Sequence, residues 1–188
     1  MPSADVSVRT AWPADAAAIA HVQVRAWRTS YAGLLPADVL AGLDTDAIAA
    51  KWQRSIDKPG DARNRVLVAL ERASVRGFAV TAGSQDPDAD PARDGEVLEL
   101  VVDPDQRRGG HGSRLVQACA DTLRADRFTH ARSWVPSSDD VLRSFLGSAG
   151  WDADGAYREL DLHGDGTVLV KQVRLHTDLR AVGGEGAA

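Results

Sequence analysis

The spacing of apolar and polar positions changes several times along the chain, and each change predicts an element. Asp5 to Thr10 reads as a short strand. The stretch PADAAAIAHVQVRAW after it sets Ile19, Val22, Ala26 and Tyr31 near one helical face, with Pro13 suited to a first turn where no N–H is needed. Gly33 to Pro36 breaks that helix, and Ala37 to Leu43 and Asp46 to Ile56 predict two shorter helices ending at KPGD. Val66 to Leu70 and Gly77 to Ala82, rich in apolar and β-branched residues across a short charged link, predict a hairpin. Ser84 to Asp94 is acidic, contains prolines and predicts an exposed loop.

Glu96 to Val102 then predicts a strand in which Glu96 and Glu99, three residues apart, are expected on opposite faces. Gly110 to about Arg124 carries Leu115, Ala118, Cys119, Thr122 and Leu123 at helical spacing, so one face packs on a sheet. His130 to Val135 predicts a further strand, stopped by Pro136. Ser137 or Ser138 can cap a helix to about Ala149, closed by Gly150. Ala156 to Leu162 and Thr167 to Leu175 flank HGDG as a second hairpin.

The chain has 188 residues, enough for one good core, which predicts a single domain over 1–176 with 177–188 as a disordered tail. A formal net charge of -5 and a pI near 5.5 give a field that repels phosphate backbones, which argues against nucleic acid as a partner. The amino terminus lacks a basic segment followed by an apolar run, and no stretch approaches the apolar length of a membrane helix, so a cytoplasmic protein with no membrane partner is expected. Cys119 is the single cysteine and the histidines are scattered, so no metal is expected. Cys119 also sits on the buried face of its helix, which favours a packing role over a nucleophilic one.

Chemistry concentrates in VVDPDQRRGGHGSRL, which passes from strand to glycine-rich turn to helix. A helix start leaves about four backbone N–H groups unpaired and, with the helix dipole, forms an anion site. Gly109, Gly110 and Gly112 let that backbone close on a pyrophosphate, and Arg107 and Arg108 add charge. Ser113 follows glycine rather than lysine, which excludes a Walker loop, and the third glycine of a dinucleotide fingerprint is missing.

Arg107, Gly110 and Gly112, with VDP before them and Leu115 after, resemble the signature of the GNAT family of N-acetyltransferases: Arg or Gln, two residues, Gly, one residue, then Gly or Ala. The order of elements is similar from Val6 through Leu175. The resemblance implies an α/β (α+β) fold, a single GNAT-like domain with a mixed, mainly antiparallel seven-stranded sheet flanked by helices. It implies that amides from Arg108 through Gly109, Gly110, His111, Gly112 and Ser113 hold the pyrophosphate of acetyl-CoA beside Arg107, and that Leu98 to Val102, including Leu100, Val101 and Val102, pairs with the pantetheine arm. It also implies a splay between the fourth and fifth strands, which Pro136 would suit. Relatives mostly carry an apolar residue where His111 stands, and its role is open.

Acetyl transfer to an amine needs a base for the amine proton and a donor for the departing thiolate. Similar enzymes often carry a glutamate eleven residues before the first signature position, which is Glu96, with Glu99 in reserve. The tyrosine that many relatives use as acid is replaced by Leu146, which leaves Ser144, Tyr157 or water. The acceptor pocket would be built by Trp27, Tyr31, Trp134 and the acidic Ser84 to Asp94 stretch, which would favour a cationic amine. The expected function is transfer of acetyl from acetyl-CoA to a primary amine of a small molecule or peptide by direct attack in a ternary complex. The missing tyrosine motivates an alternative, an acyl-CoA-binding sensor or scaffold with little or no turnover. Homodimers are common among similar proteins, and Thr167 to Leu175 is a candidate edge.

Overall fold

The computed structural model describes residues 6–162 and 164–180. The amino-terminal strand β1 (Val6–Thr10) leads through a single turn at Pro13–Asp15 into helix α1 (Ala16–Ser30), followed by α2 (Ala37–Ala41) and α3 (Thr45–Asp57). Strands β2 (Arg65–Glu71), β3 (Ser74–Gly83) and β4 (Asp94–Val102) precede α4 (His111–Ala125). Strand β5 (His130–Pro136), helix α5 (Asp140–Ser148) and the hairpin β6 (Asp152–Asp161) and β7 (Leu169–Asp178) complete the chain. The seven strands form one sheet in the order β1-β2-β3-β4-β5-β7-β6. Only β4 and β5 run parallel, so the sheet is mixed and mainly antiparallel.

Both faces of the central strands β2 and β3 are covered, as their apolar runs require. On one face Ile19 and Val22 of α1, with Trp52 and Ile56 of α3, pack on Val68, Leu70 and Phe78. On the other, Leu115, Cys119 and Leu123 of α4 and Leu146 of α5 pack on Leu67, Ala69, Ala79, Val97 and Val135. Cys119 is fully buried there and its thiol is pushed up to about 12 by burial, consistent with packing rather than attack.

Several local expectations are revised. The domain boundary at 176/177 falls inside β7, and Leu179 is buried against the α4 side of the core, so the ordered chain reaches further; residues 181–188 lie outside the described residues. The cap of α5 is Asp139, whose carboxylate accepts from the Leu142 amide at 2.9 Å, rather than Ser137 or Ser138. Pro136 is the last residue of β5 and still pairs with Gln172 of β7, so the strand runs one residue past the expected Val135.

The acidic segment between β3 and β4 is mostly exposed, as expected, and is also strapped to the sheet. Arg174 of β7 binds Asp86 at 3.0 Å and Asp88 at 2.7 Å, while Arg132 of β5 binds Asp88 at 2.8 Å and Asp94 at 2.9 Å. Sequence reading could see the carboxylates but not that partners some 40 to 90 positions away would meet them, a separation of the order set by strand pairing.

Candidate functional site: a glycine turn facing a splayed strand pair

The β4–β5 ladder is short. Asp94, Gly95 and Glu96 pair with His130, Ala131 and Arg132, and beyond them the two strands part. The Ser133 hydroxyl still reaches across to the Val97 carbonyl at 2.9 Å, marking the last contact before the opening. The gap therefore begins well before Pro136, and the proline is not its cause.

At the same level β4 contains a bulge. Glu96 pairs with Ala82 and Val97 with Thr81, but the next pair is Glu99 with Val80, which leaves Leu98 as an extra residue, 48% exposed. Val80 and Ala82 lie on one face of β3, so their partners Glu99 and Glu96 also share a face. This overturns the expectation of opposite faces: the extra residue absorbs one step of the alternation. Both carboxylates lie on the α1 side of the sheet, where Gln23 of α1 meets Glu99.

The two glutamates sit in different surroundings. Glu96 is buried, and it accepts from the Ser84 hydroxyl at 3.0 Å. Burial raises its affinity for a proton, with Asp86 adding to the rise and the Ser84 bond and Arg158 opposing it. Glu99 has a single weak contact, from the Gln23 amide at 3.5 Å, and burial pushes its carboxyl up to about 7. Gln23 is itself buried on α1 and is fixed by the Trp52 indole, which donates to its carbonyl at 2.7 Å. Tyr31 lies close enough to Glu99 that burial first, and the carboxylate second, hold its phenol in the protonated form. Trp27 meets Tyr31 edge to face, with ring centroids 6.3 Å apart. Trp134 stands two residues beyond Arg132, on the face that Glu96 occupies, and its indole donates to Asp86 at 3.0 and 3.2 Å.

Tyr157 is not brought to this group. It pairs with Val173, whose side chain packs in the α4 and α5 core, so Tyr157 lies on the opposite face from the glutamates, 68% exposed with Lys171 over its ring. Leu146 is buried in that same core, and Ser144 is exposed on α5.

The glycine turn follows β4 directly. Asp103 follows the strand and is held by Arg25 of α1, while its carboxylate also accepts from the Asp105 amide at 3.2 Å. Arg108 and Gly110 have positive φ, 68° and 77°, which turns the chain into α4 with Gly110 as the residue before its first turn. Among the described residues, the backbone N–H groups from Arg108 through Ser113 donate to no protein acceptor, and the Nδ1 atom of buried His111 has no partner either. Burial lowers the His111 proton affinity, so the ring is neutral at pH 7. A side chain at Gly112 would press on Phe145 of α5, its Cβ meeting the ring at 3.2 Å. The residues thus fit a diphosphate: a row of free amides at a helix start, kept bare by glycine, with exposed Arg107, Arg108 and Arg114 around it. Leu100, Val101 and Val102 run from the bulge to this turn along β4.

Sequence reasoning missed Gln23 and Arg158, and gave Ser84 and Asp103 no role of their own. Only Gln23 left a signal, a polar residue four positions after Ile19 on an apolar stripe.

A family model described as the acetyltransferase (GNAT) family matches residues 26–151. The uncharacterized N-acetyltransferase YuaI of Bacillus subtilis is 32% identical over 132 residues, covering 69% of this chain and 71% of that protein. Among solved structures, yncA of Salmonella typhimurium, a putative acetyltransferase with its cofactor acetyl-CoA, superposes with a TM-score of 0.67 at 18% identity, covering 97% of this chain and 99% of that one. The paiA N-acetyltransferase of Thermoplasma acidophilum in complex with coenzyme A gives 0.66 at 15% identity, covering 93% and 99%.

Proposed function

Because the chain belongs to the acetyltransferase (GNAT) family, we propose that it moves an acetyl group from acetyl-CoA to a primary amine of a small molecule or peptide, by direct attack in a ternary complex. The observation that carries this reading is the row of unpartnered amides from Arg108 to Ser113 at one end of β4, with buried Glu96 and half-buried Glu99 on one face at the other. Those amides hold the pyrophosphate, with Arg107 and Arg108 screening its charge and His111 neutral beneath. Leu100, Val101 and Val102 offer β4 backbone to the pantetheine arm, since beyond Arg132 strand β5 no longer occupies that edge. Acetyl-CoA, when bound, supplies the thioester carbonyl.

Glu99 is the general base. A carboxyl poised near 7 is half ionised at neutral pH and can accept the proton of the attacking amine, directly or through water. Glu96 holds the amine beside it, and Trp27, Tyr31 and Trp134 line the acceptor side. With Leu146 packed in the core and Tyr157 on the far face, the departing thiolate takes its proton from water.

Thiol release from acetyl-CoA across an amine panel tests this. Steady turnover with at least one amine is expected, with kcat/KM rising to a plateau as pH passes through about 7. Acetyl-CoA binding without turnover on any amine would replace the transferase reading with that of a sensor.

A further inference from the structure

The face that carries Glu96 and Glu99 continues across β5, β7 and β6. Cross-strand pairs bring Arg132, Trp134, Arg174, Gln172 and Arg158 to that face. Two of its three guanidiniums are consumed: Arg132 and Arg174 are each held by carboxylates, Arg174 also by Asp154 at 2.6 Å. Arg158 differs. Its Nε donates to the Gln172 side chain at 2.8 Å, and its guanidinium carbon lies 4.4 Å from the centre of the Trp134 ring. Gln172 is buried, and the Trp134 indole is held by Asp86. Among the described residues no carboxylate pairs with Arg158, and its Nη1 and Nη2 atoms have no acceptor.

A guanidinium held at Nε and along its plane, with both terminal nitrogens free, is a fork fitted to a planar oxyanion. It is also near enough to Glu96 to favour that carboxylate's ionised form. The acidic loop cannot play the opposite part, because Asp86 and Asp88 already face Arg132 and Arg174. We propose that Arg158 is a specificity-determining residue of the acceptor site, and that the acceptor is an amine also bearing a carboxylate or comparable oxyacid group, the anion forked on Arg158 and the amine directed to Glu96 and Glu99. The proposal rests on the transferase reading above.

The experiment uses matched acceptors, an amino acid and its carboxamide, with the wild-type chain, Arg158→Gln and Arg158→Lys, and follows thiol release. The wild type is expected to favour the carboxylate by at least about tenfold in kcat/KM. Arg158→Gln should bring that ratio to near one, mainly through KM of the carboxylate, and Arg158→Lys should restore part of it; a purely structural arginine would move both acceptors together. An unchanged ratio in Arg158→Gln, or a wild type that prefers the carboxamide, overturns the proposal while leaving the transferase intact. Should no amine turn over although acetyl-CoA binds, the transferase reading is what fails. The fork is then judged by calorimetric titration of an N-acetyl amino acid into the coenzyme A complex: binding lost in Arg158→Gln supports it, and no binding to the wild type refutes it.

Discussion

Replacing Glu99 with Gln makes a prediction about stability as well as rate. The carboxyl is held near 7 in the folded chain against an ordinary 4.5, because burial disfavours its charge. The folded state therefore binds this proton more tightly than the unfolded state, and the stabilisation is complete below about 4.5 and lost as pH rises through about 7. Each tenfold in proton affinity is worth about 1.4 kcal/mol, so the ceiling on the loss is about 3 kcal/mol; partial contact with water reduces it to about 2 kcal/mol. Gln has nearly the same shape, can accept from Gln23 and carries no charge, so Glu99→Gln should be as stable as wild type at pH 4.5 and more stable at pH 8. With a urea slope of about 2 kcal/mol per molar, the midpoint at pH 8 should rise by about 1 M. The same variant should lose about a hundredfold or more in kcat/KM and lack the rise near pH 7. Equal midpoints at pH 8, or a variant less stable there, would refute the claim that a buried charge is kept at a cost for the sake of the base.

Two further substitutions separate the site from its surroundings. Tyr157→Phe should leave kcat within about twofold, since a general acid normally contributes about a hundredfold or more; a large fall would return this hydroxyl to the mechanism. Asp139→Ala removes the cap of α5 and should cost about 1 kcal/mol in urea unfolding, with no change in acetyl-CoA affinity by calorimetry.

Most of the fold was legible because its central strands are largely apolar runs and its longer helices carry one apolar stripe, patterns that survive without knowledge of partners. The glycine turn was legible for a local reason too: strand, bare backbone and helix start are adjacent in the chain. The relation between Glu96 and Glu99 was not. It depends on a single extra residue, Leu98, and strand periodicity assumes that no such residue exists. The loop from Ser84 to Asp94 is mostly exposed, as its acidic composition predicts, but its tethering was not legible, because Arg132 and Arg174 arrive from other strands. Arg158 was invisible for the same cause: its supports, Trp134 and Gln172, are neighbours only once β5, β7 and β6 are laid side by side.

The most direct measurement is calorimetric titration of acetyl-CoA into the wild-type chain and into Gly110→Val. Gly110 has a φ of 77°, where a β-branched residue is strained. Saturable one-to-one binding by the wild type, weakened at least about tenfold in a variant whose circular dichroism is unchanged, is the expected result. No heat from the wild type at millimolar acetyl-CoA, or equal affinity in the two proteins, would contradict it.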